Sequence, residues 1–357
     1  IGEADPEWML AIVMRLLGYR KETERVKKKG LRILAAAAVL TFGCLTMNAY
    51  AAEGWALSNN IWTYLDKNGN RVTNEWKKGA DNLWRYLNNS GEMAVNSWAD
   101  NDYYVDANGI MVADKWMQIA SPYSRDSQTY WFYFGSSGKV TKDSWKKIDG
   151  RNYLFDSEGV MQTGWTEDNL YYLGSDGAMK TGWRYLEPPY DEDEDDYTYG
   201  PESDDGQYWY YFAPSGKKYC TSTGDEEGEY RVSRIDGKYY CFDSTGKMQT
   251  GWVYMDGDPD SASSNTIEHW RYFAEPEIKN AKVGAAISGW LSLEPPERLL
   301  DNVDESVEWY YFNKDGEPKT GPEFGEASTD DFVRIDGKNY LFDKRGNPVK
   351  GLHKVEI

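Results

Sequence analysis

Histidine and cysteine are scarce, with two and three copies in 357 residues. The shortage withholds the usual proton shuttle and the usual zinc ligands from most catalytic schemes. Basic charge is also short: 40 Lys and Arg stand against 59 Asp and Glu, a formal net charge of −19. Such a surface does not neutralise phosphates, so nucleic acid is not an expected partner. Hydrophobic residues amount to 40% and the mean hydropathy is −0.76, which excludes a multi-span membrane protein. What the chain has instead is rings: 16 Trp, 28 Tyr and 11 Phe, 15% of its residues, beside 34 Gly. Aromatic residues favour strands and glycine favours tight turns, so the composition points to many short hairpins.

One apolar run stands apart. Lys27, Lys28, Lys29 and Arg32 precede it, Ile33 to Met47 form it, and Ala49-Tyr50-Ala51 closes it. Basic, apolar and A-x-A in that order read as a secretory signal over residues 26–51, cut after Ala51. The run is shorter than the ~20 residues a spanning helix needs, so no membrane association is expected after cleavage. Val26 is the expected start and residues 1–25 an upstream segment with no role in the exported product. Cleavage removes Cys44 and leaves Cys220 and Cys241, one repeat apart, as an even pair for one disulfide.

The rest repeats. Trp recurs at 55, 76, 98, 116, 145, 165, 183, 252 and 290, often roughly 20 residues apart. Asp149-Gly150, Asp236-Gly237 and Asp336-Gly337 are two-residue turns between a strand-like run and an aromatic run. A second turn follows with Gly at 69, 91, 109, 138, 159, 177, 216, 246, 316 and 346, while repeat nine has Glu275-Pro276-Glu277 there. The reading is about eleven hairpin units of ~20 residues. A lone hairpin cannot bury its aromatic face, so the units are expected to stack into an all-β solenoid over residues 52–357. The repeats leave no stretch of about 100 residues for a catalytic domain.

The pattern GW-x(n)-WYYF-xxxG-xMxTGW resembles the choline-binding, or cell-wall-binding, repeat of Gram-positive surface proteins and wall hydrolases. Similar repeats occur in glucan-binding regions of glucosyltransferases and in clostridial toxins. The resemblance implies a superhelix of hairpins in which choline sits between consecutive units. Its cage is two Trp of one unit and a Tyr of the next. A quaternary ammonium donates no hydrogen bond and is held by ring faces. Carried over residue by residue, the pattern implies cages at Trp76/Trp84/Tyr103, Trp116/Trp131/Tyr153, Trp183/Trp209/Tyr239, Trp252/Trp270/Tyr310 and Trp290/Trp309/Tyr340. Trp55 and Trp62 face Arg85, itself a cation, and units with Asn152 or Leu170 in the second slot lack a wall. A register slip of one residue would turn a Tyr to the opposite face.

Two other readings of the rings stay open. They are core, as expected outright for Leu154, Phe155, Leu341 and Phe342, or they stack on pyranose faces. Four insertions, near 119–129, 187–207, 255–268 and 293–308, are placed at hairpin tips. Asp191 to Asp196 read as a solvated acidic loop. Asp256, Asp258 and Asp260 open like a calcium loop, but Ser261 and Ile267 break it, so no metal or other cofactor is expected. The leading expectation is a secreted, cell-wall-associated, non-catalytic protein whose partner is choline-substituted teichoic acid or glucan. A glucan-binding module and an adhesin gripping a protein through the insertions are the alternatives; a wall hydrolase ranks below them, since His269 and His353 read as surface residues.

Overall fold

The computed structural model describes residues 53–124, 128–189, 203, 205–220, 230–255, 267–296, 299, 307–322 and 327–350. The signal sequence, Asp191 to Asp196 and the Asp256 to Ser261 stretch lie outside the described residues. The chain divides into two compact units, residues 1–162 and 163–357.

Each unit is a series of two-stranded antiparallel hairpins, and no α-helix occurs among the described residues. The N-terminal unit holds the hairpins Gly54–Ser58/Ile61–Leu65, Glu75–Lys78/Trp84–Leu87, Ser97–Ala99/Tyr103–Val105, Lys115–Ala120/Thr129–Phe134 and Ser144–Ile148/Arg151–Phe155. The C-terminal unit holds Gly164–Trp165/Tyr172–Leu173, Gly182–Leu186/Tyr208–Phe212, Arg231–Ile235/Lys238–Phe242, Gly251–Tyr254/Trp270–Phe273, Gly289–Leu293/Glu308–Phe312 and Val333–Ile335/Lys338–Tyr340. All four insertions fall between the two strands of a hairpin, as expected.

The turns explain the register. Asp149 and Gly150 take φ of 47° and 82°, the left-handed pair a two-residue hairpin loop needs. Strand alternation then sorts the rings. In Thr129–Phe134, Trp131 faces out while Phe132 and Phe134 are buried. Phe134, Tyr104, Val112, Phe132 and Val140 close one core cluster, with Trp98 and Met117 packed on it. Each such fully buried ring is worth roughly 1.5–3 kcal/mol. Phe155 and Phe342 are buried as expected, whereas Leu154 and Leu341 are only half-buried, one step out of phase with them.

In most repeats the second turn hooks its hairpin to the one before. The Asp156 carboxylate accepts the backbone N–H of Glu158 and of Val160, both at 2.9 Å. Two residues past the turn glycine, the Met161 N–H reaches the Trp131 carbonyl of the preceding hairpin at 2.9 Å. The Met111 N–H reaches the Trp84 carbonyl in the same way at 2.9 Å. A Cβ on Gly138 would sit 2.5 Å from the Met111 side chain, so the turn glycine is needed for close approach as well as for its φ of 80°. Repeat nine, expected to lack this glycine, recovers it after a longer loop. Gly284 has φ of 74°, its Cβ position lies 2.2 Å from Met248, and two residues on the Ala286 N–H donates to the Tyr239 carbonyl.

The expected disulfide is not formed: Cys220 and Cys241 are both free thiols. Cys241 packs into a closed cluster with Val253 and Phe273, while Cys220 is half-exposed and offers its carbonyl to Arg231. The two sulfurs therefore belong to different environments.

Candidate functional site: aromatic cages between hairpins

Two ring positions on one hairpin create each candidate cage. Trp116 stands opposite Tyr133 and Trp131 opposite Gln118, so the two indoles are diagonal neighbours on one face. Their centroids are 6.4 Å apart and their planes meet at 84°. The next hairpin brings Tyr153 edge-on to Trp116 at 4.9 Å and lays Phe155 against it at 5.6 Å and 30°. Trp131 keeps 43% exposure, leaving an open ring face. No described Lys or Arg side chain lies over Trp116, Trp131 or Tyr153.

The same construction recurs in the C-terminal unit. Trp183 and Trp209 meet at 6.3 Å and 82°. Their third wall is Tyr240, 4.7 Å from Trp183, and not Tyr239. The reason is register: Ser233 pairs with Tyr240 and Arg234 with Tyr239, so Tyr239 takes the second slot of its own hairpin. The Lys282 ammonium stands over both Trp183 and Tyr240, at 5.3 and 5.4 Å. At the last cage, Tyr340 meets Trp290 at 5.0 Å and Phe342 stacks on it at 28°. Trp309 lies opposite Ser292, the same diagonal slot, and is 51% exposed.

Two cages depart further. Trp76 and Tyr103 meet at 5.4 Å, and Trp84 is 41% exposed, but Lys78 reaches over the Trp84 ring at 4.9 Å. Trp252 and Tyr310 meet at 5.2 Å, yet Trp270 does not serve as their open wall. It is 7% exposed and packs on Tyr254 at 5.3 Å. Ile267 and Leu293, at the ends of two insertions, close a core around it with Tyr272, Tyr310 and Phe312. Trp270 is a core residue. Burial also pushes the Tyr310 phenol above the usual tyrosine range, as expected of a ring shut away from water.

Arg85 stands in the tyrosine slot of its hairpin, two residues before Leu87 as Tyr153 stands two before Phe155. Its guanidinium grips the Asp81 carboxylate with two hydrogen bonds of 2.9 and 2.7 Å. That pairing holds the Asp81 carboxyl down to about 2. The cation in this slot is thus neutralised from its own hairpin.

A further ring pair was not among the expected cages. Trp165 and Tyr210 meet at 5.0 Å and 74°, with Phe212 tilted beneath at 5.7 Å. The second tryptophan slot holds Leu170, and the Lys218 ammonium lies over Trp165 at 5.1 Å and over Tyr210 at 5.8 Å. The signal was present in the spacing: Gly216-Lys217-Lys218 stands where other repeats have Gly109-Ile110-Met111 or Gly246-Lys247-Met248.

The family description "Choline-binding repeat" matches residues 52–98 and 140–183, and "Putative cell wall binding repeat" matches residues 308–317. No curated protein matches the chain. Among solved structures, the modular autolysin LytC from Streptococcus pneumoniae is 20% identical, with 84% of this chain and 53% of that chain covered, at a TM-score of 0.48. Choline binding protein F from the same organism is 20% identical, with 84% of this chain and 93% of that chain covered, at a TM-score of 0.41. CbpJ, also from Streptococcus pneumoniae, is 21% identical, with 83% and 100% covered, at a TM-score of 0.33. The chain spans about half the length of the LytC chain it matches.

Proposed function

The chain carries choline-binding repeats, and we propose that it uses them to hold choline groups displayed on cell-wall polymers, as an exported binding protein. The observation that carries this reading is the Trp116/Trp131/Tyr153 cage, two indoles at 84° closed by a tyrosine of the next hairpin. Three ring faces around one quaternary ammonium give ~0.5–2 kcal/mol each, enough in sum for a site near the millimolar range. A polymer that bears many cholines engages several cages at once, so weak sites add up to firm attachment. The cages at Trp290/Trp309/Tyr340 and Trp76/Trp84/Tyr103 are the further candidates, and Trp183/Trp209/Tyr240 joins them when Lys282 swings away. The net charge of −19 draws cations in over long range but opposes anionic wall polymers, so attachment depends on the cages themselves. The repeats are a binding array in this reading, and no step of chemistry is assigned to them.

Equilibrium dialysis with choline tests the reading. Saturable binding, reduced in Trp131→Ala while the fold is kept, supports it. Retention on an α-glucan, which has no cationic group, with no uptake of choline would replace it by pyranose stacking on the same rings.

A further inference from the structure

We infer that the chain fills one of its own cages: Lys218 is the resident cation of the Trp165/Tyr210 site and withdraws that site from external ligand. The inference rests on the choline reading only for its consequence; the seating of the lysine is independent of it.

Three observations converge. First, position: the Lys218 N–H donates to the Leu170 carbonyl at 2.8 Å, the counterpart of Met111 to Trp84 at 2.9 Å, Met161 to Trp131 at 2.9 Å and Met248 to Trp209 at 2.8 Å. Lys218 therefore occupies the slot where those repeats place an uncharged methionine beside the open cage. Second, surroundings: Lys218 is only 6% exposed, and its ammonium lies over Trp165 and Tyr210 at 5.1 and 5.8 Å. Among the described residues no carboxylate forms an ion pair with it. A buried charge must be compensated, and here ring faces do the compensating. Third, co-substitution: the same cage has lost its second tryptophan to Leu170. One ring gone and one cation gained in a single site is the pattern of a cage turned inward. Burial pulls the Lys218 ammonium below the usual lysine range, with Cys220, Asp243 and Asp168 acting against the pull. That balance fits a cation enclosed by protein.

The test has two arms on the full chain. Carbon-detected proton spectra of lysine-labelled protein read the seating directly, with no ligand present. Ring currents should shift the Lys218 ε-methylene upfield of that of exposed Lys217; coincident signals would overturn the inference. The second arm counts choline by dialysis in Leu170→Trp and in Leu170→Trp/Lys218→Met, with thermal melts to show that each is folded. The double variant should bind one choline more per chain than the unaltered protein, and the single variant no more. An equal gain in both would mean that the lysine does not hold the site, and no gain in either would mean that the site is not a cage. If the unaltered protein binds no choline at all, the functional reading fails and the upfield shift alone decides the seating.

Discussion

Trp116 and Trp131 stand edge to face at 84° on one hairpin, while Trp270, in the equivalent slot to Trp131, is turned into the core. Equivalent positions in the repeat thus do opposite work. Trp131→Ala is expected to abolish one choline site and leave the melting temperature nearly unchanged. Trp270→Ala should cost ~3–5 kcal/mol in stability, as large-to-small changes in a closed core do. Denaturant melts beside choline dialysis compare the two; similar destabilisation would contradict the assignment of Trp131 to a binding face.

Register makes a second contrast. Tyr240 is 1% exposed and touches Trp183, whereas Tyr239 faces Arg234 and is half-buried. Tyr240→Ala should destabilise the C-terminal unit by several-fold more than Tyr239→Ala, measured by urea unfolding. The reverse order would require a slip of one residue in that hairpin.

Acid should loosen the N-terminal unit through Asp81. Its folded value is about 2 against 3.8 in the free group, so the carboxylate favours the folded chain above pH ~4. That contribution fades as pH falls from about 4 to about 2. Asp81→Asn should flatten this part of the stability profile, as followed by circular dichroism melts of the full chain between pH ~2 and ~5.

Alkali should act through Tyr86. Its hydroxyl donates to the Asp100 carboxylate at 2.8 Å, and burial, then that hydrogen bond, push it up to about 12 from 10.0. Its contribution is whole below pH 10 and is lost as pH climbs toward about 12. Phenolate absorbance at high pH should lose one of the late-titrating tyrosines in Tyr86→Phe, and Asp100→Asn should move that tyrosine part of the way down.

Cys220 and Cys241 should be found unpaired. A thiol reagent should modify half-exposed Cys220 promptly in the native protein and Cys241 only on unfolding, since burial raises its thiol well above the usual range. Mass spectrometry of the modified peptides reads the order.

Much of this was legible in the residues. Asp149-Gly150 and the spaced tryptophans led to the hairpins and to the place of the insertions, because a two-residue left-handed turn admits few side chains and sets the pairing. The Trp116/Trp131/Tyr153 and Trp290/Tyr340 groupings came from the resemblance to choline-binding repeats, carried over residue by residue. Tyr240 was missed because Lys238–Phe242 offers two adjacent tyrosines, and only pairing with Ser233 decides between them. Trp270 was missed because its fate depends on Ile267 and Leu293, which the repeat pattern does not include. Lys218 lay in plain sight as a lysine in a methionine slot, but its neighbours in space come from two hairpins.

The hook from Met161 to the Trp131 carbonyl bears on mechanics. In the N-terminal unit the same hook joins Met93 to Trp62, Met111 to Trp84 and Val140 to Asp102. The four are links in series, each fastening one hairpin to the one before. Under the proposed attachment to a wall polymer such links share one load in series, and neighbour-only contacts let one yield without the rest. If Trp131 grips ligand as proposed, its own carbonyl is at the same time the anchor of one such hook.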